Sequence, residues 1–129
     1  MTAIFSRIET SNNDTGMLAT GVAGTGVMNV TVADSVMANN TLNGIFGFSN
    51  PGGTAVNIML VRCVVFSNGA IGARTFGSTV TLRSFQTAVT ANATGWSEES
   101  SSNFLTYGNN GVDGNTTEVS GTPTILPTR

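Results

Sequence analysis

Apolar and polar residues alternate in short runs that return along the chain at a nearly fixed interval. Val30 and Val32 flank Thr31, Ile58 and Leu60 flank Met59, Leu82 and Ser84 flank Arg83, and Leu105 and Tyr107 flank Thr106. Each flanking pair stands ten and eight residues before an asparagine, namely Asn40, Asn68, Asn92 and Asn115. A period of two predicts one strand per repeat with one face inward. A second apolar position, Met37, Val65, Val89 and Val112, falls three residues before the same asparagines, and Ser35, Cys63, Thr87 and Asn110 fall five before. These predict a second, shorter half-buried strand.

With Asn12 as the anchor of the first repeat, the anchors are spaced by 28, 28, 24 and 23 residues. Self-similarity at such a period signals a solenoid or an array. Four residues after the first three anchors come Gly16, Gly44 and Gly72, followed by Met17, Ile45 and Ala73. The fourth repeat shortens the step to Gly95-Trp96, and the fifth places Glu118-Val119 there. The extra length of the second repeat falls at residues 49–53, where Pro51, Gly52 and Gly53 predict a loop bulging from the coil.

Strands at this spacing could also form an antiparallel meander or sandwich. In a solenoid, however, each coil lies about 4.8 Å from the last and like residues stack on one another. Anchors of one residue type favour stacking, because an inward Asn at a bend can satisfy buried polar groups and bond its neighbours above and below. The expected fold is all-β: a right-handed parallel β-helix of about five coils in a single domain, at residues 1–26, 27–54, 55–78, 79–102 and 103–129. Gly and Asn interrupt every stretch that could become a long helix, leaving room for a short helical cap at most.

Composition narrows the function classes. Charged residues make up 9% of the 129, against about 25% in an ordinary soluble domain. There is no His, and the cations Arg7, Arg62, Arg74, Arg83 and Arg129 are scattered. A net charge of −2 argues against a nucleic-acid surface. The longest apolar stretch, residues 58–66, is broken by Arg62 and is far short of the roughly 20 residues that span a bilayer. The first residues lack the basic and apolar segments of a secretory signal. The single Cys63 leaves the redox compartment undetermined.

The segment at residues 29–45, NVTVADSVMANNTLNGI, resembles a coil of the right-handed parallel β-helix proteins of the pectate-lyase-like superfamily. The stretch at residues 105–115, with residues 121–124 after it, is similar to the C-terminal coil of bacterial members of unassigned activity. The resemblance implies the solenoid architecture, and a secreted or cell-surface setting. Such members are usually longer and begin with a capping segment that is not evident here. The expectation is therefore either the C-terminal portion of a longer β-helix or a small relative that closes its end by association. The superfamily holds lyases, hydrolases, epimerases, adhesins and inert spacers, so architecture does not fix function.

Polysaccharide lyases of that superfamily are expected to use clustered carboxylates for calcium and an Arg or Lys as base. The acids here are Glu9, Asp14, Asp34, Glu98, Glu99, Asp113 and Glu118, and aligned on the anchors no two occupy one column. Paired carboxyls for glycoside hydrolysis would need matching columns in neighbouring coils. Asp34 and Arg62 do share a column and are expected to pair across the stack. Cys63, in the Ser35 column, reads as a small inward residue, since no His can activate it. Oxygen ligands for a metal are too few, and no cofactor is implied. For glycan contact the candidates are Trp96, Glu98 and Glu99, placed in a Ser-rich connection, and Arg83, which has no acid in its column.

The position between each inward pair faces out, which places Thr31, Met59, Arg83 and Thr106 there, with Ala33, Val61, Phe85 and Gly108 in the next outward column. Met59, Val61 and Phe85 then form an apolar lateral patch, flanked by Val36 and Val64, unless residues 122–129 cover it. The first coil, around Ile4, Phe5 and Ile8, looks unprotected, whereas Pro123 and Pro127 can end pairing at the other end. The expected partner is a second copy of the chain, through the patch or the first-coil edge. The leading expectation is a non-catalytic structural or self-assembling protein. A carbohydrate-binding or adhesin module comes second, and an oligomer-dependent lyase or hydrolase third.

Overall fold

In the computed structural model, which describes residues 1–22 and 24–127, the chain winds as a parallel β-solenoid with three strands in each coil. The first coil holds β1 (Thr2–Ser6), β2 (Glu9–Ser11) and β3 (Thr15–Gly21). The second holds β4 (Val27–Ala33), β5 (Val36–Ala38) and β6 (Asn43–Ser49). The third holds β7 (Ala55–Val61), β8 (Val64–Phe66) and β9 (Ile71–Phe76). The fourth holds β10 (Val80–Phe85), β11 (Ala88–Thr90) and β12 (Thr94–Glu99). The fifth holds β13 (Asn103–Thr106), β14 (Gly111–Val112) and β15 (Thr117–Ser120), after which β16 (Thr124–Ile125) begins a further layer. Among the described residues there is no helix.

Equivalent strands stack into parallel sheets of six, five and five strands. The expected count of about five coils is close to this. The first sheet pairs Val30 with Ile58 and Val32 with Leu60, then Ile58 with Leu82 and Leu60 with Ser84. These inward columns, with Met37, Val65 and Val89 from the second sheet and Ile45 and Ala73 from the third, build one continuous core. The third strand of each coil, which follows the glycine, is the element that the two-strand reading of the repeat lacks.

Two phases differ from expectation. The register of β2 with β5 sets Ser11 against Ala38, so Asn13, not Asn12, stands opposite Asn40. Asn12 instead lies one step earlier with φ 60°, matching Asn39 at 54°. The first repeat therefore has the same three-residue step from anchor to Gly16 as the fourth has from Asn92 to Gly95. In the fifth coil, Leu82 pairs with Phe104 and Ser84 with Thr106, so Phe104 and Thr106 face inward. Leu105 and Tyr107 face outward. One additional residue in the bend containing Gly108 (φ 75°) restores Asn110 to its column with Thr87. Because side chains alternate with period two, a one-residue change in a bend exchanges the faces of the strand beside it.

The connection from the third sheet back to the first is five residues long in the first two coils and three in the next two, and together with a strand longer by one residue on either side it accounts for the longer early repeats. In the second coil it includes the expected turn, with Gly52 at φ 74° and the Gly53 amide donating to Asn50 O at 2.8 Å. Instead of folding over the lateral patch, Thr124 and Ile125 pair with Leu105 and Thr106 and extend the first sheet. Thr128 and Arg129 lie outside the described residues.

Candidate functional site

The most ordered constellation of polar groups lies at the second bend. Asn40 Nδ2 donates to Asn68 Oδ1, Asn68 Nδ2 to Asn92 Oδ1, and Asn92 Nδ2 to Asn115 Oδ1, each at 2.9 Å. Those Oδ1 atoms, and that of Asn40, also accept the backbone amide of the preceding rung: Asn13 to Asn40 at 3.1 Å, Asn40 to Asn68 at 3.2 Å, Asn68 to Asn92 at 3.0 Å and Asn92 to Asn115 at 2.9 Å. Each Nδ2 has a second acceptor in the coil before, Thr10 O, Met37 O, Val65 O or Val89 O. Asn40, Asn68 and Asn92 are each 2% exposed. The expected stacking of these four asparagines is thus present. Asn13, the first member, is exposed and turns its Nδ2 to Ser11 O.

The adjoining glycine column is sterically required. A Cβ on Gly72 would lie 2.8 Å from Gly95 O and 2.9 Å from Asn92 Nδ2, and one on Gly95 would lie 2.6 Å from Glu118 O and 2.8 Å from Asn115 Nδ2. In the fifth coil Glu118 replaces glycine. Its carboxylate accepts from Asn115 Nδ2 at 2.6 Å and from the Asn115 amide at 3.2 Å, standing where the next Oδ1 would be.

At the first bend, Arg7, Asp34, Arg62 and Gln86 share a column in the left-handed region, at φ 54°, 52°, 50° and 49°. Arg62 grips Asp34 through Nε at 2.7 Å and Nη2 at 3.0 Å, as the shared column implies. That hydrogen bonding, with the positive charge of Arg62 and Arg7, holds the Asp34 carboxyl below its ordinary range despite some opposing desolvation. Just inside the bend, Cys63 is 1% exposed and its thiol donates to Val32 O and Val61 O, while burial pushes its pKa up. A protonated, buried thiol is a packing group and a poor nucleophile.

The candidate glycan residues do not converge. Trp96 is 6% exposed, packed in the core with its ring 4.9 Å from that of Phe104, and so is not a surface platform. Glu98 and Glu99 end strand β12 and do not lie in a connection. Glu98 accepts the Phe104 amide at 3.1 Å. Glu99 takes both arms of Arg74 at 2.9 Å and also the Ser97 hydroxyl at 2.7 Å. Arg74 holds the Glu99 carboxyl below its ordinary value against the effect of burial. Arg83 lies on the outer face of the first sheet, beside a shallow cavity of about 120 Å³ shared with Asn29, Asn57 and Met59. No two acids stack at one register position, and no three potential metal ligands gather among the described residues.

Met59, Val61 and Phe85 do come together on the outer face of the first sheet, each half-buried. Phe85 meets Tyr107 edge to face at 5.6 Å, so Tyr107 takes the place in this column expected for Gly108. A second outward cluster is formed by the third sheet. Phe46 and Phe48 are 5.8 Å apart, Phe48 stacks on Phe76 at 5.4 Å, and the Arg74 guanidinium lies 4.6 Å from the Phe46 ring centre. The signal for this cluster was alternation at Phe46, Phe48, Arg74 and Phe76, legible only once a third strand is recognised.

Each end of the stack presents an apolar cavity, and the one at the fifth coil, about 300 Å³, is lined by Trp96, Val112, Val119 and Ile125 with Thr106 and Asn110. At the first coil, Ile4 faces out and is 74% exposed, while Phe5 faces the core cross-section and is 39% exposed. Phe5, Met1, Ala3 and Met17 rim an apolar cavity of about 190 Å³ floored by Met28 and Val30. No protein-family model, curated protein or solved structure matches this chain. No helix among the described residues is long and apolar enough to cross a membrane.

Proposed function

We propose that the chain is a non-catalytic structural module that assembles with further copies of itself, on an architecture akin to the pectate-lyase-like β-helices. The observation that carries this reading is the apolar outer face of the first sheet, where Met59, Val61 and Phe85 lie together and Tyr107 meets Phe85 edge to face. A contiguous apolar patch on a surface marks a site of association, and a partner removes it from water. The acids support a structural role, because Asp34 and Glu99 are held by arginines, Glu98 by a backbone amide and Glu118 by the ladder. The test is light scattering of the full chain across a hundredfold dilution. A mass above one chain that falls on dilution supports self-association, and a single-chain mass throughout overturns it.

A second reading, a carbohydrate-binding surface module, draws on the outward rings of Phe46, Phe48 and Phe76 beside Arg74 and Glu99. Aromatic faces can stack on the apolar face of a sugar, and a charged pair at their rim supplies donors and acceptors. Binding on a glycan array that is lost in Phe48→Ala would support it; an array at background would remove it.

A further inference from the structure

The outer face of the first sheet carries its residues in three columns that run across the coils. Asn29, Asn57, Thr81 and Asn103 form a polar column, Thr31, Met59, Arg83 and Leu105 a mixed one, and Ala33, Val61, Phe85 and Tyr107 an apolar one. The outer face of the third sheet is different, because its groups satisfy one another: Arg74 is held by Glu99 and lies on Phe46, and Phe48 stacks on Phe76. On the first sheet no carboxylate pairs with Arg83 among the described residues. Asn57 gives its Nδ2 to Asn29 Oδ1, and no described group donates to its own Oδ1.

A sheet face can meet a second copy of itself across a two-fold axis in two ways. With the axis along the stack, strands run antiparallel and each coil faces the same coil of the other copy. Arg83 would then face Arg83, and the apolar column would lie on the polar one. With the axis along the strands, each column faces its like and the order of the coils is reversed. Centred between the third and fourth coils, this axis sets Val61 against Phe85 and Ala33 against Tyr107, small side chains against large. In the polar column it sets Asn57 against Thr81 and Asn29 against Asn103. Arg83 lies against Met59, where its stem can pack and the Oδ1 of Asn57 offers an acceptor to its guanidinium. Like charges and mismatched polarity oppose the first arrangement, whereas the second matches both.

Six strands spaced by about 4.8 Å, each rising about 3.3 Å per residue, give a face of roughly 25 Å by 20 Å. Two such faces together cover about 1,000 Å², near the lower bound for a specific interface. Aligned strands are also a favoured geometry for sheets packed face to face.

Resting on the self-assembly reading above, we infer that two copies pack face to face through their first sheets, with strands parallel, coil order reversed and the two-fold axis between Val61 and Phe85. The occupant of the lateral face is a second copy of this chain, and the contact closes at two. Its modest area makes the dimer weak and dependent on concentration.

Sedimentation velocity on the full chain, over a range of concentrations, tests this by exchanging Ala33 and Tyr107. The two stand three coils apart within one chain, about 14 Å by the strand spacing, so they couple only across the interface. Ala33→Tyr sets ring against ring and Tyr107→Ala leaves a void, and each should raise the dissociation constant at least about tenfold. The double exchange should bring it back to within about threefold of wild type. Circular dichroism checks folding, and exposed Asn29 and Asn103 keep the test usable should Ala33→Tyr fail to fold. There, Asn29→Asp with Asn103→Lys should dimerise at least about tenfold more tightly than Asn29→Lys with Asn103→Lys. A dimer indifferent to the single exchanges, not restored by the double one, or equally tight with both charged pairs overturns this arrangement and leaves self-association standing, as does growth beyond two chains. A single-chain mass throughout for the wild type overturns both.

Discussion

The first and second bends solve one problem with different degrees of freedom. Each places a residue in the left-handed region and then turns a polar side chain inward to accept the amide of the coil before. At the first bend the acceptors are Ser35 Oγ for the Ile8 amide, Thr87 Oγ1 for Cys63 and Asn110 Oδ1 for Thr87. The residue type varies because only an acceptor is needed, and Cys63 occupies the same column with its thiol turned to Val32 O and Val61 O. At the second bend Asn68, Asn92 and Asn115 each accept two bonds and donate at least two more. Only a carboxamide offers both capacities in so short a side chain. Repetition of a residue therefore marks a demand for two chemical capacities at once.

The comparison breaks most visibly at the centre of the ladder. Asn68→Ala strands the Asn40 amide, one Nδ2 hydrogen of Asn40 and Met37 O in a buried site, while Asn92 Oδ1 keeps the Asn68 amide. With about 1–3 kcal/mol for each buried group left unsatisfied, urea denaturation should show a loss of roughly 3 kcal/mol or more. The neighbouring Gly72→Ala should cost about 1–3 kcal/mol by overpacking against Gly95 O and Val89. At the first bend, Thr87→Val removes a 3.4 Å acceptor and a 3.2 Å bond to Phe85 O, for about 1 kcal/mol in the same assay.

A smaller effect depends on pH. Because Glu99 has its carboxyl held below the ordinary 4.5 by Arg74, the pair stabilises the fold above that value and the contribution is lost as pH falls through the lowered one. Arg74→Met should thus differ from wild type by under about 1 kcal/mol at neutral pH, with the gap narrowing in acid. The smallest effect belongs to Asn13→Ala, within about 0.5 kcal/mol, since Asn13 is exposed and joins the ladder through its backbone amide. A loss at Asn13 as large as at Asn68 would show that the first rung is covered in solution.

Much of the solenoid is legible in the chain itself because stacking makes equivalent residues chemical neighbours. The anchors Asn40, Asn68, Asn92 and Asn115, the Asp34–Arg62 pair and the buried Cys63 all follow from one alignment of the repeat. The alignment falters where a bend changes length. Two adjacent asparagines, Asn12 and Asn13, satisfy it equally well, and only the strand register shows that Asn13 is the rung. That choice also brings Arg7 into line with Asp34 and Arg62, which the other phase conceals. In the fifth coil, Leu105 and Tyr107 look as apolar as Phe104, and the extra residue near Gly108 decides which of them enters the core.

The surface sites were less legible still. Trp96 follows a glycine in a polar stretch and reads as exposed, yet its column with Ile45 and Ala73 carries it inward. Phe46, Phe48 and Phe76 lie far apart in sequence and become a cluster only when the third sheet stacks them.

By itself the sequence determined the repeat, the identity of the ladder and the inward columns of the central coils, because a short-period pattern of residue types is enough to specify which groups must stack. The tertiary structure alone decided the phase of the outer coils, the burial of Trp96 and the aromatic face of the third sheet. Those depend on bend lengths and on which coils have neighbours, and neither is written in any one repeat.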